Sequence, residues 1–234
     1  FLSDEVALLT APDLRVRPVP LSFCVKSTGW DVLAPYYPEL VERAGWRKSK
    51  DVYAYFLSLE DMVTERFQRI AERATAQGVR VRPIRTGAGF DADVEAVWGV
   101  YNSAWSRNWG FVPMTRDEFA LMAKEMKPVL VPELVLIAEA QGHIAGFALA
   151  LPDINQALKH ARGRLFPLGL VKLLYHKRTI KTVRVVALGV TAERQSAGIA
   201  PGLYAALFEN ASRLGFEGGE SSWILEDNLL MNRS

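Results

Sequence analysis

The stretch LGVTAERQSAGIAPGLYAALFENASRLGF, residues 188–216, joins a predicted strand to a predicted helix through a loop of small residues. The apolar run ends at Val190, and an amphipathic helix pattern extends from Ala200 to Leu214, where Gly215 ends it. Gly198 allows the backbone of the loop to approach a ligand closely. Such a loop suits a phosphate group, because the N–H groups of a loop and a helix start point at the anion. A tight turn that binds nothing explains the same residues as well.

Composition restricts the class of protein only broadly. The chain has 234 residues, of which 50% are hydrophobic and 23% are charged, as in globular proteins with one large or two small domains. The net charge of +2 argues neither for nor against a nucleic-acid partner. Cys24 is the single cysteine, which fits a reducing compartment and predicts a cytoplasmic protein. Because the chain starts at Phe1 and ends in an unfinished pattern, we expect a fragment cut at both ends.

The order of predicted elements favours the α/β class. From residue 79, a predicted strand is followed by two predicted helices. Asp91 is expected to cap the first helix, and Thr115 with Glu118 to form a capping box at the start of the second. A hairpin then turns at Gln141-Gly142, and the strand 182–190, the quoted helix and the strand 216–225 complete the pattern. This mixed order indicates a central sheet with helices packed on it.

The quoted loop resembles motif A of the GNAT superfamily of N-acyltransferases. That motif reads Gln/Arg-x-x-Gly-x-Gly/Ala, and Gln195, Gly198 and Ala200 match it at the right spacing. The segment 221–228 is similar to the next motif of the family, so the resemblance covers about residues 80 to 234. It implies the GNAT fold, an α/β fold with a twisted, mostly antiparallel central sheet flanked by helices.

The resemblance implies an acetyl-CoA or other acyl-CoA as co-substrate. The pyrophosphate is then expected at the loop and helix start, and the pantetheine arm at the edge of the strand that ends at Val190. The residues assigned to the cofactor on this basis are Leu188, Val190, Gln195, Ser196, Ala197, Gly198, Ile199, Ala200 and Asn228. Ser196 and Ala197 depart from the family, since many members carry Arg or Lys there. Contacts to the phosphates then depend more on backbone amides and the helix dipole.

The implied reaction is direct acyl transfer from the thioester to a small-molecule amine, with no metal. A base must keep the amine neutral, and the resemblance offers Glu226 first, then Glu220 and Asp227; these are otherwise solvated acids at a strand end. The family often uses a Tyr seven residues after the motif Asn to protonate the thiolate. Counted from Asn228, that position is one past the last residue. Trp105 and Trp109 are expected in the acceptor pocket, or else they pack in the core.

The N-terminal part resembles the end of another GNAT domain. Residues 36–46 match the closing helix of the family and residues 50–57 its final strand. We therefore predict a first, degenerate GNAT-like domain at 1–57, a linking helix at 58–78 and a second GNAT domain at 79–234. The alternative is one domain with an N-terminal helical extension. A non-catalytic module that binds CoA or a partner is the alternative function.

One region is strongly basic. Between Asp153 and Glu193 the chain has eight Lys or Arg and no acid, around the apolar run 165–175. The sequence favours an insertion packed on the sheet with its charges in water over membrane contact by residues 165–178. Nucleic acid is not expected, because no reader motif accompanies the basic residues. His143, His160 and His176 are scattered in the sequence and predict no metal site. The oligomeric state is not predicted.

Overall fold

The computed structural model describes residues 36–47, 49–59, 65–161, 168–194 and 198–232, and a single sheet runs through these ranges. Its strands are β1 (Val52–Ser58), β2 (Val79–Pro83), β3 (Val135–Ala140), β4 (His143–Pro152), β5 (Thr182–Val190) and β6 (Gly218–Leu225). Their order is β1-β6-β5-β4-β3-β2. Neighbours from β2 to β5 are antiparallel, whereas β5 and β6 are parallel.

The described helices are α1 (Tyr36–Arg43), α2 (Glu65–Ala76), α3 (Phe90–Trp105), α4 (Arg116–Met126), α5 (Asn155–Ala161), α6 (Gly169–His176), α7 (Ile199–Arg213) and α8 (Leu229–Asn232). The mixed, mostly antiparallel sheet flanked by helices confirms the predicted fold class. No helix among the described residues combines the length and the apolar character that crossing a membrane requires.

The chain divides into two compact units. One comprises Phe1–Val52 with Leu225–Ser234, and the other comprises Tyr53–Ile224. The larger unit contains nearly all of the sheet and both of its cores. The predicted strand at 50–57 is present as β1, and its residues from Tyr53 onward belong to this larger unit. The assignment of 1–57, 58–78 and 79–234 to two GNAT-like domains and a linking helix stays a prediction.

Each face of the sheet in the larger unit has its own apolar core. On one face, α2 and α7 contribute Ala74, Leu203 and Leu207 to a cluster with apolar residues of the strands. On the other face, Val97 of α3 and Phe119 of α4 pack against the sheet. Because α7 lies against one face of the sheet and α3 against the other, β5, which contacts both helices, lies between two helical layers.

Several local predictions can be compared directly with the structure. Thr115 and Glu118 form the predicted capping box, because each side chain bonds to the backbone N–H of the other residue. Asp91 does not cap its helix: α3 begins one residue earlier, at Phe90, and Gly89 takes the N-cap position. The preceding 3-10 turn, Gly87–Gly89, runs straight into the helix, which leaves no extended position for Asp91.

The insertion between β4 and β5 also differs from the prediction. Its described residues form α5 and α6, and α6 leaves most of its apolar side chains exposed. The expected packing of this apolar run on the sheet is therefore wrong for residues 168–176. The helical period still places Gly169 on a buried side, which anchors α6 while its other sides face solvent.

Candidate functional site

The central feature of the site is the point at which β5 and β6 part. The two strands pair in parallel over four positions, from Thr182 opposite Gly218 to Val185 opposite Ser221. Both strands continue beyond that point, β5 to Val190 and β6 to Leu225. The edge of β5 that faces β6 is therefore not paired with it from residue 186 onward, and its backbone groups can bond to an extended ligand.

A bulge marks the same point on the other edge of β5. Leu149 of β4 lies opposite Ala187, and Ala150 lies opposite Val185, so Val186 is an extra residue. Beyond the bulge, Leu188 pairs with Ala148 and Val190 with Gly146. Leu188 and Val190, both predicted to hold the cofactor, thus lie on the part of β5 that is anchored to β4 alone.

Helix α7 begins close to the end of β5, and its first turn is the predicted pyrophosphate site. Gly198 is its N-cap and adopts a left-handed conformation with φ of 69°. A residue with a side chain is strained there, so the turn requires glycine. Ile199 is fully buried and Ala200 half-buried, and these contacts fix the helix start. The first N–H groups of a helix have no partner within it and carry its positive pole.

Gln195, Ser196 and Ala197 lie outside the described residues, so their predicted roles stay predictions.

Aromatic residues of α3 form one wall beside β5. Trp105 packs on Gly189, where a Cβ atom would lie 2.3 Å from ring carbon Cζ3 of the tryptophan. The Trp105 ring also stacks on Tyr101, with centroids 5.0 Å apart, and lies 5.8 Å from the ring of Phe147. Burial raises the pKa of the Tyr101 phenol, which is therefore neutral at physiological pH. Trp109, the other predicted pocket residue, is 49% exposed.

Glu220 belongs to a polar group at the parting of the strands. It lies directly opposite Arg184 in the parallel register, with Arg184 Nε 3.8 Å from Glu220 Oε1. Ser222 connects the two: its Oγ accepts from Arg184 Nε at 3.2 Å and donates to Glu220 Oε1 at 2.7 Å. The carboxylate is thus held by two partners. Sequence reasoning named Glu220 but missed Arg184 and Ser222, because the register of parallel strands is not evident from spacing.

The other predicted carboxylates belong to the smaller unit. Glu226 Oε1 accepts from the backbone N–H of Asp51 at 3.2 Å. Asp227 forms an ion pair with Lys50, and the hydrogen bond from Lys50 lowers the pKa of the Asp227 carboxyl. Asn228 Oδ1 accepts from the backbone N–H of Met231, as an N-cap of α8 does. The three side chains therefore have structural partners within this unit.

A further polar residue beside the parting point, the half-buried Tyr204, was not predicted. Tyr204 of α7 lies beside Ser221, the last residue of β6 that pairs with β5. Burial raises the pKa of the Tyr204 phenol, although the neighbouring Ser221 hydroxyl opposes this change. Tyr204 thus ties α7 to the parting point from the face opposite Glu220. Only the apolar spacing of α7 marked this position, and that spacing does not distinguish a core tyrosine from one beside a site.

The insertion between β4 and β5 brings together two histidines, His160 and His176, that are sixteen positions apart in the sequence. The rings of His160 on α5 and His176 on α6 stack with centroids 3.7 Å apart and planes within 9°. Stacked rings do not converge on one ion as metal ligands do. Within the ranges that the structure describes, no three His, Cys, Asp or Glu side chains are grouped so that they could hold a metal ion.

Comparisons with known proteins give two curated relatives. No protein-family model matches the chain. The chain is 32% identical to Protein YghO of Escherichia coli strain K12 over 204 residues, which cover 85% of this chain and 52% of that protein. It is also 32% identical to the bacterial ceramide synthase of Caulobacter vibrioides over 197 residues, which cover 82% and 51%. The chain thus spans about half the length of the curated relatives it matches.

The fold has a counterpart among solved structures. A GCN5-related N-acetyltransferase from Sphaerobacter thermophilus superposes with a TM-score of 0.53 at 18% identity, over 82% of this chain and 48% of that chain. At this identity the likeness concerns the fold. Together with the parallel pair whose strands part, it leads to one conclusion: the chain has the fold of the GCN5-related N-acetyltransferases, the GNAT fold.

Proposed function

We propose that this protein is an acyl-CoA-dependent N-acyltransferase that acylates an amine by direct transfer. The observation that carries the proposal is the parting of β5 and β6 after Val185 and Ser221, next to a helix that starts at a left-handed glycine. An open strand edge suits the amide groups of a pantetheine arm, and a helix start suits a pyrophosphate. The strand edge and the helix start are neighbours, and the pantetheine arm and the pyrophosphate are joined in one CoA molecule.

Most of the proposed contacts with acyl-CoA are made by backbone groups of the protein. The phosphates are proposed to accept from the N–H groups at residues 196–200, with Gln195 beside them, and the pantetheine arm to pair with Leu188 and Val190. Asn228 is retained from the family resemblance. Acetyl-CoA and longer acyl-CoA differ only in the acyl group, so the same contacts serve both.

Glu220 is the proposed general base. The amine must lose a proton as its nitrogen attacks the thioester carbonyl, and the C–S bond then breaks to release a thiolate that takes up a proton. Glu220 lies on the strand that leaves the sheet at the parting point, and Ser222 holds its carboxylate by a 2.7 Å bond. Glu226 and Asp227 remain alternative bases, and the corresponding substitutions, Glu226→Gln and Asp227→Asn, test them by the same kinetic measurement.

The acceptor is an amine that is not yet identified. Trp105 and Tyr101 provide an aromatic wall beside β5, which suits the apolar part of an acceptor. One relative is named bacterial ceramide synthase, so long-chain amino alcohols belong in the set of acceptors tested, beside small amines.

The test is a transfer assay with the full-length protein. Acetyl-CoA and a long-chain acyl-CoA are each incubated with a panel of amines, and free thiol and the N-acyl product are measured together. The proposal predicts equal amounts of thiol and amide with at least one amine. Binding of CoA without turnover for any amine would favour the alternative of a non-catalytic CoA-binding module.

A further inference from the structure

The insertion between β4 and β5 forms an open pocket with cationic walls. The pocket has a volume of about 490 Å³ and is lined by Lys159 and His160 of α5 and by Lys172 and His176 of α6. The stacked histidine rings hold the two helices together at this point. All four lining side chains are positive or can become positive by taking up a proton, and none of them is a carboxylate that could balance this charge. Such walls favour an anion.

The charge around the pocket is not balanced by the insertion itself. No Asp or Glu occurs at residues 154–192. Partial removal from water lowers the pKa of His160, and the positive charges of His176, Lys159 and Lys172 lower it further. Protonation of His160 is therefore opposed by its neighbours, and an anion in the pocket would relieve that repulsion.

An exposed apolar stripe runs along the same helix. Val171, Leu174 and Tyr175 are 62%, 60% and 67% exposed, and Leu168 and Leu170 are exposed as well. Because these positions are three or four residues apart, they share one side of α6. Lys172 and His176, also four residues apart, form the adjoining row, and the ring of Tyr175 meets that of His176 edge-on. A cationic row thus borders an apolar one.

We propose that α5 and α6 bind the surface of an anionic phospholipid bilayer. The pocket takes a lipid phosphate, and the apolar stripe enters the interface between headgroups and acyl chains. This combination of an apolar helix side with basic residues beside it is the arrangement that interfacial helices use. An eight-residue helix is about 12 Å long. It is far shorter than the hydrocarbon core of about 30 Å, so α6 lies along the surface.

A bilayer fits both parts of this surface, whereas the other phosphate-bearing partners fit only one. A soluble phosphate compound or a nucleic acid would use the cationic pocket and leave the apolar stripe in water. The inference does not depend on acyl transfer, because no residue of the proposed CoA or amine site takes part in it.

The experiment measures sedimentation of the full-length protein with vesicles of phosphatidylcholine alone and with one-quarter phosphatidylglycerol. Two double variants test the two rows: Lys159→Glu with Lys172→Glu for the pocket, and Val171→Ser with Leu174→Ser for the stripe. The matched control is Arg80→Glu with Lys124→Glu, which changes the net charge equally at exposed positions on β2 and α4. Thermal melting of each variant shows that it is folded.

We expect the wild-type protein to bind anionic vesicles at least tenfold more tightly than neutral ones. Both test variants should lose at least tenfold in binding to anionic vesicles, and the control should bind as the wild type does. Equal losses in the control would overturn the proposal, since net charge alone would then explain binding. Full binding by the stripe variant would also overturn it. In that case, competition by inorganic phosphate or by duplex DNA at constant ionic strength would identify the pocket as a site for a soluble anion or a nucleic acid.

Discussion

Trp105 packs against the backbone of Gly189 so closely that a Cβ atom at position 189 would lie 2.3 Å from its ring. Both residues lie where β5 runs beyond its pairing with β6. Glycine is therefore needed at 189 for the aromatic wall to reach the strand, and the strand fixes the position of the ring. The contact between Trp105 and Gly189 thus fixes the aromatic wall beside the free edge of β5, next to the parting point.

The substitution Gly189→Ala tests this contact. The added methyl group must displace the Trp105 ring, and such overpacking costs about 1–3 kcal/mol of unfolding free energy. The cost should be at least about 1 kcal/mol smaller in a Trp105→Ala background, because the ring that clashes is absent and only the Cβ atom of Ala104, at 3.0 Å, stays close. Urea unfolding of the four proteins in this double-mutant cycle gives the answer. An equal cost in both backgrounds would mean that the two residues do not touch.

Asp93 provides a test of the fold. Its side chain is 0% exposed and accepts hydrogen bonds from Arg82 Nη1 at 2.7 Å and from the backbone N–H of Arg85 at 2.8 Å. Removing one member of a buried ion pair costs about 3–5 kcal/mol, and we expect such a loss for Asp93→Asn at pH 7. Asp91→Asn, at an exposed position in the same turn, should cost less than about 1 kcal/mol.

The pH dependence of that difference has a definite sign. Burial alone would raise the pKa of the Asp93 carboxyl, but its bonds to Arg82 and Arg85 hold the pKa well below its ordinary value of 3.8. Since the folded pKa is lowered, the stabilisation is fully present above the unfolded value and is lost as pH falls towards the folded one. The gap between wild type and Asp93→Asn should be constant from pH 7 to 5 and shrink below about pH 4. A gap that grows in acid would contradict the assignment.

Glu220→Gln tests the proposed base. Loss of a general base lowers the rate about 10²–10⁴-fold, so we expect kcat to fall by at least a hundredfold with little change in KM. The matched control is Glu217→Gln, an exposed acid just before β6 that pairs with Lys181 and should leave activity unchanged. Glu220→Gln, but not Glu217→Gln, should also lose the rising limb of the pH–rate profile.

Ser222→Ala separates a positioning effect from a catalytic one. Ser222 donates to Glu220 and accepts from Arg184, so its removal leaves the carboxylate in place but less well oriented. We expect a smaller fall in kcat, about tenfold, and a pH–rate profile that keeps its rising limb. Unchanged activity for both Glu220→Gln and Ser222→Ala would contradict the role of Glu220 and leave Glu226 and Asp227 as the candidate bases.

Elements with strong local signals could be predicted from the sequence. The strand 182–190 has the predicted limits, because an apolar run is bounded by polar residues at both ends. Thr115 and Glu118 form their capping box because all of its bonds lie within one turn. Gly215 follows the last turn of α7 with φ of 84°, the conformation that glycine supplies after a helix.

The rest depends on contacts between distant segments. The pairing of Arg184 with Glu220 follows from the register of β5 on β6, which no spacing reveals. His160 and His176 are sixteen positions apart in the sequence, and the packing of α5 against α6 brings their rings together. The exposed stripe of α6 has the same apolar pattern as a core helix, so periodicity alone could not tell which side would stay uncovered.

The most direct test of the account is calorimetric titration of coenzyme A into the full-length protein and two glycine variants. Gly198 and Gly215 lie at opposite ends of α7, both with positive φ. Among the described residues other than their chain neighbours, no atom comes closer than 3.8 Å to a Cβ at either position. Gly198→Asp and Gly215→Asp should therefore cost similar stability, but only the former puts a negative charge at the proposed phosphate site. We predict that CoA binds the wild type and Gly215→Asp alike and binds Gly198→Asp at least tenfold more weakly. No heat with the wild type, or equal binding by both variants, would contradict the account.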